Sequence, residues 1–251
     1  MQIFEKSFEV NSLNVNVQKR LGLVGLLGML QETAFSHADQ MGIGYLEMLK
    51  SNSFWVLTRQ ELKMDTYPAL SEVVTIKTWS RPLDNMVAYR DFEIYVKNQK
   101  IGESSTSWMV IDGQSRKPIL PQLKDATSKT RADYKLNFSP EKIPAETEET
   151  GPLLNMQVRN NDLDMNMHVN NVKYTQWVLD AIPIQLQKNK IVSRYQINFL
   201  SEAFIDDHVL VIAKEMSNSE AGDQYYFEGK NAQSDQAYFR VLLESKPIFK
   251  F

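Results

Sequence analysis

The sequence has no cysteine, and its 251 residues include only three histidines, His37, His168 and His208. The first absence excludes disulfides, thiolate metal sites and a cysteine nucleophile. The second leaves too few, too scattered imidazoles for a histidine-based metal site, so neither metal nor cofactor is expected. Long apolar runs are also missing. The most apolar stretch, Leu21 to Leu30, is far too short to span a bilayer. The opening Met1-Gln2-Ile3-Phe4-Glu5-Lys6 has no apolar signal core, which makes a cytoplasmic protein without membrane attachment the default expectation. A net charge of −3 gives no general argument for nucleic acid. No Gly-x-Ser-x-Gly elbow, phosphate loop or zinc-protease motif occurs, which argues against a serine esterase, a nucleotide enzyme and a metalloprotease.

What is present reads as an ordinary globular chain, 43% hydrophobic and 24% charged, long enough for one large domain or two small ones. Phe4 to Val17 alternates in places and predicts one or two strands. Leu21 to Met41 predicts a long helix whose first half is apolar almost all round, suited to burial in the concave face of a sheet. Strands are predicted over 54–66, 72–79, 86–97 and 101–111. Residues 113 to 150 then lose all periodicity and hold Pro118, Pro121, Pro140 and Pro144. This stretch reads as a connector, basic in front and acidic behind, and charge alone favours a solvated one. The plan repeats with a helix over 172–182 and strands over 190–200, 207–216, 225–231 and 237–243. Thr58-Arg59, Tyr67-Pro68 and Glu72 to Ile76 align without gaps on Ser193-Arg194, Glu202-Ala203 and Asp207 to Val211. That is a long-period internal repeat.

One stretch belongs to the second copy alone: Asn160-Asn161-Asp162-Leu163-Asp164-Met165-Asn166-Met167-His168-Val169-Asn170-Asn171-Val172-Lys173-Tyr174. If it is extended, Asp164, Asn166 and His168 share one face, and Met165 and Met167 the other. A carboxylate, a carboxamide and an imidazole so placed can orient and polarise a carbonyl or a water. The helix N-terminus that follows favours developing negative charge. Helix capping explains one or two such residues, but not polar side chains at alternate positions from 162 to 168.

These residues resemble the acyl-acyl carrier protein thioesterases of plants and bacteria. The resemblance rests on the segment from Asp162 to Tyr174, on Leu30-Gln31-Glu32-Thr33-Ala34, on Phe54-Trp55-Val56-Leu57-Thr58-Arg59 and on Tyr67-Pro68. It implies an α+β fold of two tandem hotdog domains, each a long helix wrapped by an antiparallel sheet, with the sheets paired into one surface. The expected division is an N-terminal domain over 1–113, a linker over 114–150 and a C-terminal domain over 151–251. The resemblance implies hydrolysis of fatty acyl-acyl carrier protein, with Asp164, Asn166, His168 and Glu202 as catalytic residues. Plant members often carry a cysteine after the glutamate. Here Ala203 stands there, so water activated by a carboxylate, or a carboxylate nucleophile, must suffice.

On this reading Glu202 is the base, Asn166 and His168 position water or carbonyl, and Asp164 orients one of them. Backbone N–H groups of Val169, Asn170 and Asn171 are candidates for the oxyanion. The methionines and leucines of the first helix and the Trp55 strand are candidates to line an acyl tunnel. Because the carrier is acidic, Arg116, Lys117, Lys124, Lys129 and Arg131 are candidates for docking it. An acyl-CoA thioesterase and a non-catalytic acyl-binding protein are the alternatives. Either a monomer or a homodimer is compatible with a duplicated chain.

Overall fold

Along Phe4–Glu9 half-buried and exposed side chains alternate strictly, so this strand, β1, turns only one face to the core. The computed structural model describes residues 3–121, 129–146, 151–219 and 222–248. After β1 come α1 (Leu23–Met41), α2 (Tyr45–Lys50), β2 (Ser53–Met64), β3 (Val73–Ser80), β4 (Ala88–Val96), β5 (Gln99–Asp112) and the short β6 (Pro118–Ile119). The second half holds β7 (Pro152–Gln157), α3 (Asn171–Asp180), α4 (Ile184–Asn189), β8 (Lys190–Phe199), β9 (His208–Ser219), β10 (Gly222–Asn231) and β11 (Ala237–Pro247).

All strands join one antiparallel sheet in the order β1-β3-β4-β5-β2-β8-β11-β10-β9-β7, with β6 beside β5. The order is palindromic about the β2–β8 pair. The spacing that places Arg59 on Arg194 also places Glu61 on Gln196 and Lys63 on Asn198. In the β2–β8 ladder Glu61 faces Gln196, Arg59 faces Asn198 and Lys63 faces Arg194. Counterparts therefore exchange partners about a local twofold at Glu61 and Gln196, as a duplicated strand pairing with its own copy requires.

Each half wraps its sheet around one helix. α1 buries Leu23, Leu26, Leu27 and Leu30. Each such leucine contributes about 1.5–3 kcal/mol against exposure. Gly42, at φ 75° with its N–H turned back to the Asp39 carbonyl, ends α1 in a left-handed cap. α3 is shorter and buries Tyr174, Thr175, Trp177 and Val178.

Three expectations change. The first strand stops at Glu9, and the chain from Asn11 to Gly22 turns back on itself. The helix expected from Leu21 starts at Leu23, because Leu21 pairs with Val15 in an isolated bridge. The connector is no solvated tether over 129–146. Leu136 and Ile143 are buried. Arg81 binds Asp91 bidentately at 2.6 and 2.7 Å and also holds the Phe138 carbonyl and Ser139. Gln196 and Asn198 donate to the Glu141 carbonyl at 2.7 and 3.0 Å, so the connector is fastened across the β2–β8 junction.

Candidate active site

The segment from Leu163 to Val169 is not extended. Leu163 and Val169 form a bridge, and the Asp164 N–H donates to the His168 carbonyl at 2.8 Å. Met167 sits at φ 62°. The cause is the short carboxylate of Asp164, which folds onto its own backbone. Its Oδ1 accepts the Asn166 N–H at 2.8 Å and the His168 N–H at 3.3 Å. Asp164 thus orients both residues, through their backbone N–H groups. Met165 and Met167 are left exposed.

The loop after β8 brings Glu202 to His168, with Oε1 3.4 Å from Nδ1. The other carboxylate oxygen of Glu202 takes the Arg116 guanidinium. Arg116 comes from the first half of the chain and lies over the Phe54 ring at 5.0 Å. His168 also packs edge-on against Phe204, with centroids 5.3 Å apart. The His168 and Glu202 side chains are 21% and 32% exposed, so solvent reaches both.

Two backbone bonds hold the loops together. The Val169 N–H donates to the Ala203 carbonyl at 3.2 Å, and the Ala203 N–H to the Tyr174 hydroxyl at 3.2 Å. Burial pushes the Tyr174 phenol far above its ordinary range, so the hydroxyl stays neutral. The Asn170 N–H is bound to the Asp162 carbonyl at 2.8 Å, and the Asn170 side chain caps α3 through the Val172 N–H. Of the three oxyanion candidates, Val169 and Asn170 have their N–H groups engaged. Asn171, at the first helical position, has an N–H without a partner among the described residues.

Beside this site lies a cavity of about 340 Å³ between α1, α2 and the strands β2, β4 and β5. Asp164, Met165, Asn166, Asn170 and Asn171 form one wall, and Phe54 and Trp55 line another part. Asn166 therefore faces the cavity, while His168 and Glu202 stand just outside it, reached through Phe54 and Arg116. Along α1 the cavity uses the second half, Ala34, Phe35, Ala38 and Met41, rather than the apolar first half. Small side chains at 34 and 38 leave space there, whereas the leucines before them pack as core.

Sequence reasoning missed a counterpart of the polar loop in the first copy. Val15 pairs with Leu21, the Asn16 N–H donates to the Arg20 carbonyl at 2.8 Å, and Lys19 sits at φ 59°. Asn16 Oδ1 accepts the Gln18 N–H at 2.9 Å and the Arg20 N–H at 3.4 Å. The Leu21 N–H donates to the Pro68 carbonyl at 2.8 Å, and Arg20 donates to the Tyr67 carbonyl at 2.6 Å. Asn16, Gln18, Arg20 and Tyr67 thus occupy the places of Asp164, Asn166, His168 and Glu202. The backbone is preserved and the acid–base groups are gone. The signal available in the sequence was the spacing Asn-x-Gln-x-Arg before a helix.

The basic candidates divide. Arg116 is engaged at Glu202, and Lys117 beside it is exposed. Lys129 donates to the Met41 carbonyl at 3.0 Å, and Arg131 pairs with Asp133 and lies over Trp79 and Tyr134. Lys124 lies outside the described residues. Among the described residues no cluster of three or more His, Asp or Glu is arranged to hold a metal, and no helix is long and apolar enough to cross a membrane.

Two helices, each wrapped by half of one antiparallel sheet, define the tandem hotdog class of α+β folds. Residues 1–125 match the acyl-ACP thioesterase N-terminal domain and residues 145–243 the acyl-ACP thioesterase C-terminal domain; the chain belongs to the acyl-ACP thioesterase family. It is 28% identical over 229 residues to the chloroplastic oleoyl-acyl carrier protein thioesterase 2 of Arabidopsis thaliana, covering 82% of this chain and 61% of that one. It is 30% identical over 226 residues to the chloroplastic dodecanoyl-[acyl-carrier-protein] hydrolase of Cinnamomum camphora, covering 81% of this chain and 57% of that one. The chain thus spans less than two thirds of the length of these relatives. An acyl-ACP thioesterase from Bacteroides thetaiotaomicron superposes with TM-score 0.86 at 24% identity, covering 98% of both chains. The 12:0-ACP thioesterase from Umbellularia californica superposes with TM-score 0.88 at 19% identity, covering 98% of this chain and 95% of that one. At these identities the two structures support the fold.

Proposed function

We propose that this protein hydrolyses the thioester between a fatty acyl chain and acyl carrier protein, releasing the free fatty acid and ending elongation. The observation that carries the reading is the His168–Glu202 pair, open to solvent at the edge of a largely apolar cavity whose wall bears Asn166 and Asn171. The N-terminal domain, over 1–113, holds the acyl chain. The C-terminal domain, over 151–251, supplies the polar motif, and 114–150 links them.

A thioester carbonyl is strongly electrophilic and its thiolate leaves readily. The reaction therefore needs a placed water, a base and a site for the oxyanion. Glu202 takes a proton from the attacking water as its oxygen bonds to the carbonyl carbon. Arg116 fixes one oxygen of Glu202 and His168 faces the other, so the carboxylate is oriented from both sides. Asn166 polarises the carbonyl, and the Asn171 N–H receives the developing oxyanion. Collapse breaks the C–S bond, and the proton on Glu202 passes to the leaving thiolate. Asp164 holds the loop that presents Asn166 and His168. A carboxylate nucleophile forming an anhydride is the competing route.

Docking of the acidic carrier near Lys117, a cytoplasmic setting, and a monomer or homodimer complete the proposal. The test is thiol release from matched acyl-acyl carrier proteins and acyl-CoAs with the wild type and Glu202→Ala. Loss of about 10²–10⁴-fold in turnover with an intact fold is the expected result. Near-normal turnover in the variant removes Glu202 from the reaction, and preference for CoA makes the protein an acyl-CoA thioesterase.

A further inference from the structure

Arg90 on β4 is 7% exposed and lines the cavity. Its Nη1 donates to His37 Nδ1 at 2.7 Å and to Thr78 Oγ1 at 3.3 Å, both neutral acceptors. Three other arginines at the sheet are answered by carboxylates: Arg81 by Asp91, Arg194 by Glu61 and Glu244, Arg240 by Glu228. Arg90 has no carboxylate among the described residues, and Asp91, its neighbour in sequence, belongs to Arg81 on the opposite face of the strand. Burial draws the guanidinium down to about 10, which still leaves it charged at neutral pH. A buried cation without a counter-charge is costly, and a purely hydrocarbon occupant of the cavity does nothing to relieve it. Along the second half of α1 the lining is apolar, with Ala34, Phe35, Ala38 and Met41, while Ser80, Arg81, Tyr89 and Thr130 add polar groups elsewhere in the wall.

We propose that the cavity takes acyl chains bearing an oxygen acceptor far from the thioester, and that the free N–H groups of Arg90 bind that oxygen. The proposal rests on the cavity being the acyl site. His37, which holds Arg90, lies six residues beyond Gln31, and Gln31 shares the cavity wall with Asn171. At about 1.5 Å of rise per residue the separation is about 9 Å. A fully extended chain covers about 3.3–3.6 Å per three bonds, so the oxygen falls roughly eight bonds along. An ω-hydroxyoctanoyl chain meets this requirement.

The experiment compares ω-hydroxyoctanoyl- and octanoyl-acyl carrier protein as substrates of the wild type, Arg90→Met and Arg90→Lys. It also measures binding of methyl ω-hydroxyoctanoate and methyl octanoate by displacement of a fluorescent fatty-acid analogue. The wild type is expected to favour the hydroxylated chain by about tenfold to a hundredfold in both readouts, the worth of one hydrogen bond to a charged donor. Arg90→Met reverses the preference, and Arg90→Lys, which keeps the charge, retains part of it. Discrimination between the esters without any thioester turnover upholds the role of Arg90 and overturns the hydrolase reading alone. Equal binding of the two esters by the wild type, no binding of either, or a preference that survives in Arg90→Met overturns the proposal.

Discussion

Replacing Tyr174 by phenylalanine removes one oxygen from the centre of the second half and tests how Glu202 is held. The Tyr174 hydroxyl accepts the Ala203 N–H at 3.2 Å, and Ala203 is fully buried. Phenylalanine keeps the ring contacts with Trp177, Phe199 and Phe239 at 5.0, 5.7 and 5.3 Å, so packing changes little. What changes is a buried N–H left without an acceptor, at about 1–3 kcal/mol. Ala203 is also gripped from its other side by the Val169 N–H. Loosening it moves Glu202, the preceding residue, against His168. A displacement of about 1 Å in a reacting group costs on the order of 10²-fold in rate. Tyr174→Phe should therefore lower the urea midpoint without changing the slope, and lower kcat more than it raises KM. Stability and kcat both equal to wild type would refute the claim that this hydroxyl fixes the loop.

Asp164→Asn should keep the fold, because Asn16 makes the same two backbone bonds in the first copy. Its unfolding free energy should stay within about 0.5 kcal/mol of wild type, so any loss of thiol release in that variant reports chemistry rather than a collapsed loop. Arg81→Met strands the buried Asp91 carboxylate and frees the connector at Phe138 and Ser139, and should cost about 3–5 kcal/mol in denaturant unfolding. Tyr67, Tyr174 and Tyr195 are buried, and burial raises each phenol above its ordinary 10.0. Their contribution is complete below pH 10.0 and is lost as pH rises above it, because the unfolded chain ionises first. Each residue withdraws about 1.4 kcal/mol per pH unit in that range. Urea midpoints taken on either side of that pH should show the decline, with a shallower slope in Tyr67→Phe.

Much of the architecture was legible in the sequence because it is written in local pattern. The long first helix, the strand spacings and the repeat from Arg59 to Arg194 follow from periodicity and like residues at one fixed offset. The connector was not legible, because its order comes from Arg81, Gln196 and Asn198, which are distant in sequence. The bend from Leu163 to Val169 was missed for a different reason. Alternating polar residues suit a strand face and an aspartate-capped loop equally well, and the choice lies with the bonds that Asp164 makes. Its counterpart around Asn16 was hidden because duplication kept the backbone and replaced the side chains that attract notice. Arg116 stands in the basic run after β5, but Glu202 is 86 residues away in sequence, and no local pattern announces that contact or the one between Arg90 and His37. Of the methionines and leucines of α1 and the Trp55 strand, which are the expected tunnel lining, Met41, Phe54 and Trp55 line the cavity, whereas the leucines of the first half pack as core and alanines 34 and 38 leave the room.

The most direct measurement is thiol release from a panel of acyl-acyl carrier proteins with the wild type and His168→Ala. The chain has no cysteine, so it adds no thiol background. Multiple turnovers are expected with the wild type, and loss of about 10²–10⁴-fold in the variant at unchanged fold. Absence of thiol release from the wild type, with acyl binding intact, would contradict it and leave the His168 loop as the cap of α3.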